Sequence, residues 1–330
     1  MQPLPTALAP PATGYPEDPA ARTRWILERR GARRIVDPRV AYATLSEVEP
    51  GPDATPWTCS TLFLSNRECP FRCLMCDLWQ DTLADSVQPG DIPAQIDTAL
   101  AALPPARAVK LYNAGSFFDP GAIPEADYPA IAERVRGFER VIVESHTRFL
   151  GARTRRLRDL IHPARLEVAI GLETIHPVVL DRLNKRMTLD DFDRAAQWLR
   201  AEDIALRCFL LVRPPFLSEA EGVEWACRSL EHAFDQGASL CALIPVRAGN
   251  GAMEALEAAG DFTPPRVASL ETALRHGLAL GKGRVLGDLW DIDPARAQPG
   301  DNQRIARIRE MNQTQRPIAP TDGFGPEDSR

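Results

Sequence analysis

From about residue 58 onward the chain alternates short, nearly unbroken apolar runs with stretches of helical periodicity. The apolar runs STLFLS (60–65), AVKLYNA (108–114), RVIVES (140–145), RLEVAIGLE (165–173), ALRCFLLV (205–212) and ASLCALIPV (238–246) have the length and β-branched content of strands. Between them lie helix-like segments at 94–103, 127–138, 153–161, 177–184, 190–202 and 218–237. Ser218 stands where an N-cap belongs, with Glu221 three residues on, and Gly237 stands where the same helix should stop. Strands that are apolar throughout are covered on both faces, so the alternation predicts an α/β fold with a parallel sheet under helices. A helix at 264–281 and a short strand RVLGDLW (284–290) complete the body.

The flanks read differently. Residues 1–20 are Pro-rich, without the basic start or apolar core of a secretory signal, and predict a disordered arm. Residues 21–57 form an N-terminal extension with an amphipathic helix near Arg22–Arg30, a strand-like VAYATL (40–45) and the breaker-rich PGPDATPW (50–57). The core runs over 58–250. Residues 251–314 make a C-terminal extension packed on it, and 315–330 a loose polar tail.

Composition adds a few exclusions. The 330 residues are 44% hydrophobic and 25% charged, as in an ordinary globular protein. No apolar run reaches the roughly 18 residues that a membrane helix needs. A net charge of −6 does not advertise a polyanion partner over the whole surface. Only Lys110, Lys185 and Lys282 are lysines among 39 basic residues, a skew that reads as base composition rather than guanidinium chemistry. One segment, 22–39, carries seven arginines against Glu28 and Asp37, and suits either a solvated helix face or a phosphate contact with RNA.

The chemistry concentrates in Cys69-Pro-Phe-Arg-Cys73-Leu-Met-Cys76, just past the strand at 60–65, on the edge where α/β folds place their sites. Without a secretory signal the expected compartment is the reducing cytosol, where crowded cysteines mean metal or redox chemistry. Zinc in a structural site takes four protein ligands, and no fourth is evident. An iron–sulfur cluster is usually held by four thiolates, so three would leave one iron open to a ligand. A metal-free redox loop is the remaining alternative. Cys208, Cys227 and Cys241 have no paired spacing and read as small core residues.

The C-x3-C-x2-C loop resembles the signature of the radical S-adenosylmethionine superfamily. That resemblance implies a partial (β/α)6 TIM-type barrel and a [4Fe–4S] cluster on Cys69, Cys73 and Cys76. It further implies S-adenosylmethionine on the open iron, cleaved reductively to a 5′-deoxyadenosyl radical that abstracts hydrogen from substrate. An electron donor of flavodoxin or ferredoxin type is implied as well. The family usually carries an aromatic before its third cysteine, against the adenine, where this chain has the polarizable Met75. The strings LYNAGSFFDP (111–120), VIVESH (141–146), LEVAIGLET (166–174), LNKRMTLDDF (183–192) and FLLVRPPFLSE (209–219) are similar to those of the archaeosine-synthase radical subunit and its bacterial relatives. The archaeal enzymes act on a lysine-modified deazaguanine in tRNA, which implies a tRNA base or else a small metabolite as substrate.

The remaining strand ends supply candidates for the S-adenosylmethionine pocket. Gly115 and Ser116 occupy the turn where the superfamily often has Gly-Gly-Glu, with Phe117 in place of the acid. Glu144 and Glu173 each close an apolar strand, a costly place for a carboxylate unless it is paired, and suit ribose hydroxyls or an ammonium; salt bridges to Arg148 or Arg213 are the plainer alternative. Arg213, before two prolines, suits either a carboxylate ligand or a structural pair with Glu173. His146 reads as structural more readily than as an acid or base, and Lys185 as a substrate contact or a helix cap. The non-catalytic alternative is an iron–sulfur or zinc protein that senses redox state or scaffolds a partner.

Overall fold

The computed structural model describes residues 8–290, 292 and 296–319. One eight-stranded sheet runs in simple chain order: β1 (Ala43–Pro50), β2 (Pro56–Leu64), β3 (Ala108–Asn113), β4 (Arg140–Glu144), β5 (Arg165–Glu173), β6 (Ala205–Val212), β7 (Ala238–Pro245) and β8 (Arg284–Gly287). β1 and β2 form an antiparallel hairpin, and every neighbouring pair from β2 to β8 is parallel. β1 and β8 remain the two edges, so the sheet is a half-barrel. The six predicted core strands are β2 to β7, and β8 adds a seventh parallel strand. The VAYATL segment starts its strand later, at Ala43, because Tyr42 and its neighbours lead into the hairpin whose turn is the breaker-rich stretch after Pro50.

Helices α1 (Pro19–Leu27), α2 (Asp91–Ala102), α3 (Tyr128–Val135), α4 (Ala152–Ile161), α5 (Pro177–Arg182), α6 (Leu189–Ala201), α7 (Glu219–Asp235), α8 (Ala252–Ala258), α9 (Val267–Ala279) and α10 (Asp301–Thr314) complete the chain. Ser218 and Glu221 do form a reciprocal capping box on α7, and Gly237 follows its end at φ +95°. None of the described helices is long and apolar enough to cross a membrane. The helix-facing residues of the strands, among them Leu62, Leu111, Val143, Val168 and Leu210, build the main core with α2, α3, α6, α7 and α9.

Successive strand residues point to opposite faces, and the other face of the sheet is lined near its amino end by charge. Lys110 pairs with Glu47 (2.8 Å) and Glu49, and Arg207 with Glu49 (2.9 Å) and Glu167 (2.7 Å). Arg140 joins Glu167 at 2.7 Å. The strands are thus less uniformly apolar inside than their sequences suggest.

The N-terminal arm differs from its expectation. Residues 8–18 pack on the body: Tyr15 is 3% exposed, lies against Trp25 and Phe216, and donates its hydroxyl to the Arg182 carbonyl at 2.9 Å. Thr13 is bound through its backbone and hydroxyl to Asp261. The buried Tyr15 and the hydrogen bonds to Asp261 and Arg182 seat the Pro-rich stretch, whose prolines leave less chain entropy to lose. Residues 1–7 of the arm and 320–330 of the tail lie outside the described residues, while Gln315 anchors the start of the tail to Val285.

Candidate functional site

The cysteine loop leaves β2 at the carboxyl edge of the parallel strands and is tied down from four directions. The Leu74 amide donates to the Leu183 carbonyl at 2.9 Å. The Asn184 amide donates to the Arg72 carbonyl at 2.8 Å. Asn250, just past β7, donates to the carbonyls of Leu74 (2.8 Å) and Cys76 (3.1 Å) while its own oxygen caps Met253. On the amino side, Glu68 gathers Arg30 (2.6 Å), Arg72 (3.2 Å) and Arg33, and Arg72 also reaches the Cys69 carbonyl. The basic segment is therefore largely spent within the fold: Arg34 meets Asp81 and Arg22 meets Asp181 as well.

Cys69, Cys73 and Cys76 are free and partly buried. Burial pushes the thiol of Cys69 up to about 11 and those of Cys73 and Cys76 to about 12, and each feels the charge of a neighbouring cysteine of the set. Among the described residues no three His, Cys, Asp or Glu side chains stand close enough to share one metal ion. The corners of a multi-iron cluster stand further apart than the donors around a single ion. Gly115 closes on this loop from the end of β3 at φ +149°; a Cβ there would stand 3.0 Å from the Cys69 Cβ and 3.6 Å from its Sγ. Ser116 is buried, and its hydroxyl accepts the His146 amide at 2.9 Å, joining the ends of β3 and β4. Met75 is partly buried against the second apolar cluster, around Tyr15, Trp25 and Leu74.

Glu144 and Glu173 reach the same edge on adjacent strands but differ in partners. Glu173 sits at φ +68° beyond a register shift in β5 and is ion-paired with the buried Lys185. Gly171 leaves the room for that pair, since a Cβ on it would collide with both the Glu173 carboxylate and the Lys185 ammonium. Burial opposes the charge of Lys185, but Glu173, Cys73 and Cys69 outweigh it and raise its pKa. Glu144 is partly buried and pairs with neither Arg148 nor Arg213; burial, with Glu173 nearby, pushes its carboxyl up to about 8.

Arg213 does not form the expected pair with Glu173. It turns away from Glu173 and pairs with Glu219 at 2.5 Å in the first turn of α7, with the Pro264 carbonyl at 3.3 Å. Arg213 stands at φ +52°, the left-handed region, just before the two prolines. His146 is a structural link, as read: its Nδ1 accepts the Arg148 amide, so Nε2 donates to the Lys185 carbonyl at 3.0 Å, and its ring stacks on Phe71 at 4.0 Å. Burial first, then the Lys185 charge, lowers its pKa to about 4. The loop anchors Glu68 and Asn250 escaped the sequence reading; the only signal was a Glu directly before Cys69 within reach of an arginine-rich segment.

No protein-family model matches the chain. Archaeosine synthase subunit beta of Thermococcus kodakarensis is 34% identical over 129 residues, covering 37% of this chain and 40% of that protein. The protein of the same name from Methanosarcina acetivorans is 27% identical over 215 residues, covering 63% and 62%. The chain thus spans less than two thirds of the length of these curated relatives. Among solved structures, an N-terminally truncated Elp3 from Methanocaldococcus infernus aligns with a TM-score of 0.51 at 14% identity, over 76% of this chain and 63% of its own. The chain is thus similar in sequence to archaeosine synthase subunit beta over part of its length, and its half-barrel shares the fold of the Elp3 structure.

Proposed function

We propose that this protein is a radical S-adenosylmethionine enzyme in which Cys69, Cys73 and Cys76 hold three irons of a [4Fe–4S] cluster. The observation that carries the reading is the cysteine loop itself, anchored at the carboxyl edge of a parallel half-barrel with Gly115 cleared of any side chain against Cys69. The donor set fits the group: three soft thiolates from one loop, with positive iron to hold them ionised against the burial that raises their pKa. When bound and reduced, the cluster supplies the electron that cleaves S-adenosylmethionine to methionine and a 5′-deoxyadenosyl radical.

The chain's own residues bind and orient. Gly115 and Ser116 let the backbone approach the cofactor's amino acid moiety. Glu144, whose carboxyl has no hydrogen-bond or ion-pair partner among the described residues, meets the cationic part of S-adenosylmethionine, and Glu173 stays oriented by Lys185 to take ribose hydroxyls. Met75 lies against the adenine through its exposed side. Arg213 shapes the pocket from behind by fixing the start of α7 through Glu219. For substrate, the archaeosine synthase relatives support a deazaguanine-type base in tRNA, and an electron donor of flavodoxin or ferredoxin type completes the system.

The test is anaerobic. The protein is reconstituted with iron and sulfide, reduced with dithionite and given S-adenosylmethionine, and 5′-deoxyadenosine is quantified beside Cys76→Ala. Product that depends on Cys76 supports the reading, and stimulation by tRNA supports the substrate. Iron-loaded protein that binds no S-adenosylmethionine and forms no product would overturn it in favour of a sensor or scaffold.

A further inference from the structure

A cavity of about 400 Å³ opens between the turn that follows β4 and the solvent side of α6, outside the barrel mouth. We propose that this cleft binds the phosphodiester backbone of RNA, holding the molecule whose base enters the mouth; the inference rests on the tRNA reading above.

Its walls present three guanidinium groups, Arg148, Arg186 and Arg194, against one carboxylate, Asp191. Arg148 is exposed, and only its backbone amide is engaged, by His146, leaving the side chain without an ion-pair partner among the described residues. Arg194 is held, among the described residues, by Asp191 at 2.5 Å and three residues away, in an exposed pair of the kind that water and salt weaken. Arg186 donates to the Pro19 carbonyl at 2.7 Å and, at 3.5 Å, to the Thr23 hydroxyl, which fixes it at the rim. Trp198 and Leu150 supply an apolar wall, and the Arg155 guanidinium lies 5.2 Å from the Trp198 ring. Forked guanidiniums match phosphate oxygens, and an aromatic surface beside them accepts a base without demanding its identity.

The cleft shares its inner wall with the cysteine loop. His146 lines the cavity, and its ring stacks on Phe71, which lies between Cys69 and Cys73. Arg186 directly follows Lys185, the partner of Glu173 at the mouth. A strand seated on the arginines therefore stays within a short reach of the mouth. Segment 22–39, the sequence's own candidate for an RNA contact, has Arg22, Arg30, Arg33 and Arg34 committed to acids of the fold. A free nucleotide offers the same phosphate chemistry. Exposed arginines on an open cleft nevertheless bind a polyanion far better, because several phosphates release counterions together.

The test uses the full chain with fluorescently labelled bulk tRNA, read by anisotropy from low to physiological salt, with circular dichroism as the check on folding. The wild type should bind. Arg148→Ala/Arg194→Ala should bind roughly tenfold or more weakly at physiological salt, with the log–log salt dependence shallower by about one per arginine removed. Trp198→Ala should weaken binding about fivefold or more with an unchanged salt slope. Arg200→Ala, exposed on α6 but outside the cleft, should bind as the wild type does. Wild-type affinity in both cleft variants would overturn the proposal while leaving the tRNA reading intact. So would adenosine monophosphate that displaces tRNA at equal phosphate concentration. A wild type that fails to bind tRNA even at low salt would bring down this proposal and the tRNA substrate together, with 5′-deoxyadenosine formation still testing the radical chemistry by itself.

Discussion

Gly115 and Cys69 touch across two loops: a Cβ on the glycine would stand 3.0 Å from the Cβ of the cysteine. The backbone at Gly115, at φ +149°, adds strain for any other residue. Gly115→Ala should therefore push the first cysteine out of line rather than unfold the chain. We expect a stability loss of about 1–2 kcal/mol in urea titration. Iron retained after reconstitution should fall several-fold, and 5′-deoxyadenosine formation should fall with it. Full iron loading with normal product would show that this contact does not position the loop.

Glu173 and Lys185 form a buried pair, with side chains 8% and 10% exposed, inside space that Gly171 leaves free. Removing one partner strands a charge. Lys185→Ala should cost about 3–5 kcal/mol, and Glu173→Gln a comparable amount. The double variant Glu173→Gln/Lys185→Ala should cost less than the two single losses added together, because neither charge remains to be solvated. Urea titration of the four proteins in a double-mutant cycle measures the coupling. Additive losses would mean that the pair contributes no specific interaction. Gly171→Ala should behave like the single charge deletions, since its methyl group must displace the pair.

Much of this frame is written in the chain. The six core strands and the α7 capping box follow from apolar runs and from Ser218 with Glu221, because local pattern dictates them. The cysteine loop is legible because its ligands lie within eight residues. Long-range pairing is less so. Lys110, Glu167 and Arg207 each sit at the third position of an apolar strand, and only the register of the half-barrel brings their charges together with Glu49. Arg213 illustrates the same limit: its acid, Glu219, lies six residues on, and the positive φ that aims it there is invisible in composition.

Glu68 is the acid on which the basic segment converges. Its side chain and that of Arg30 are each 8% exposed, and Arg33 and Arg72 complete the group immediately before Cys69. Glu68→Ala leaves three guanidiniums without their carboxylate. We expect a stability loss of about 3 kcal/mol, as for other buried pairs broken on one side. Cluster retention should fall as well, measured as iron per chain after gel filtration. Binding of bulk tRNA should persist. Replacing Arg29, Arg30, Arg33 and Arg34 by Ala should likewise lower iron content, so weaker tRNA binding by that variant would report a damaged loop rather than a missing RNA contact.

Glu144 closes β4 with its carboxyl pushed up to about 8, burial being the main cause. An acid raised in the folded state binds its proton there more tightly than in the unfolded chain. Its favourable contribution to stability is therefore complete below the ordinary glutamate range and disappears as pH rises through about 8. Ligand binding runs the other way. S-adenosylmethionine carries a net positive charge, so a Glu144 that contacts it must ionise, and below that pKa binding has to expel a proton. We expect the affinity of the reconstituted protein to rise with pH, by up to about tenfold per unit, and to level off near pH 8. Equilibrium dialysis across that range measures it. Glu144→Gln should bind more weakly above pH 8 and lose the part of the slope that the carboxyl contributes, whatever remains belonging to the ligand's own amine. A variant whose pH profile superimposes on the wild type would remove Glu144 from the cofactor pocket.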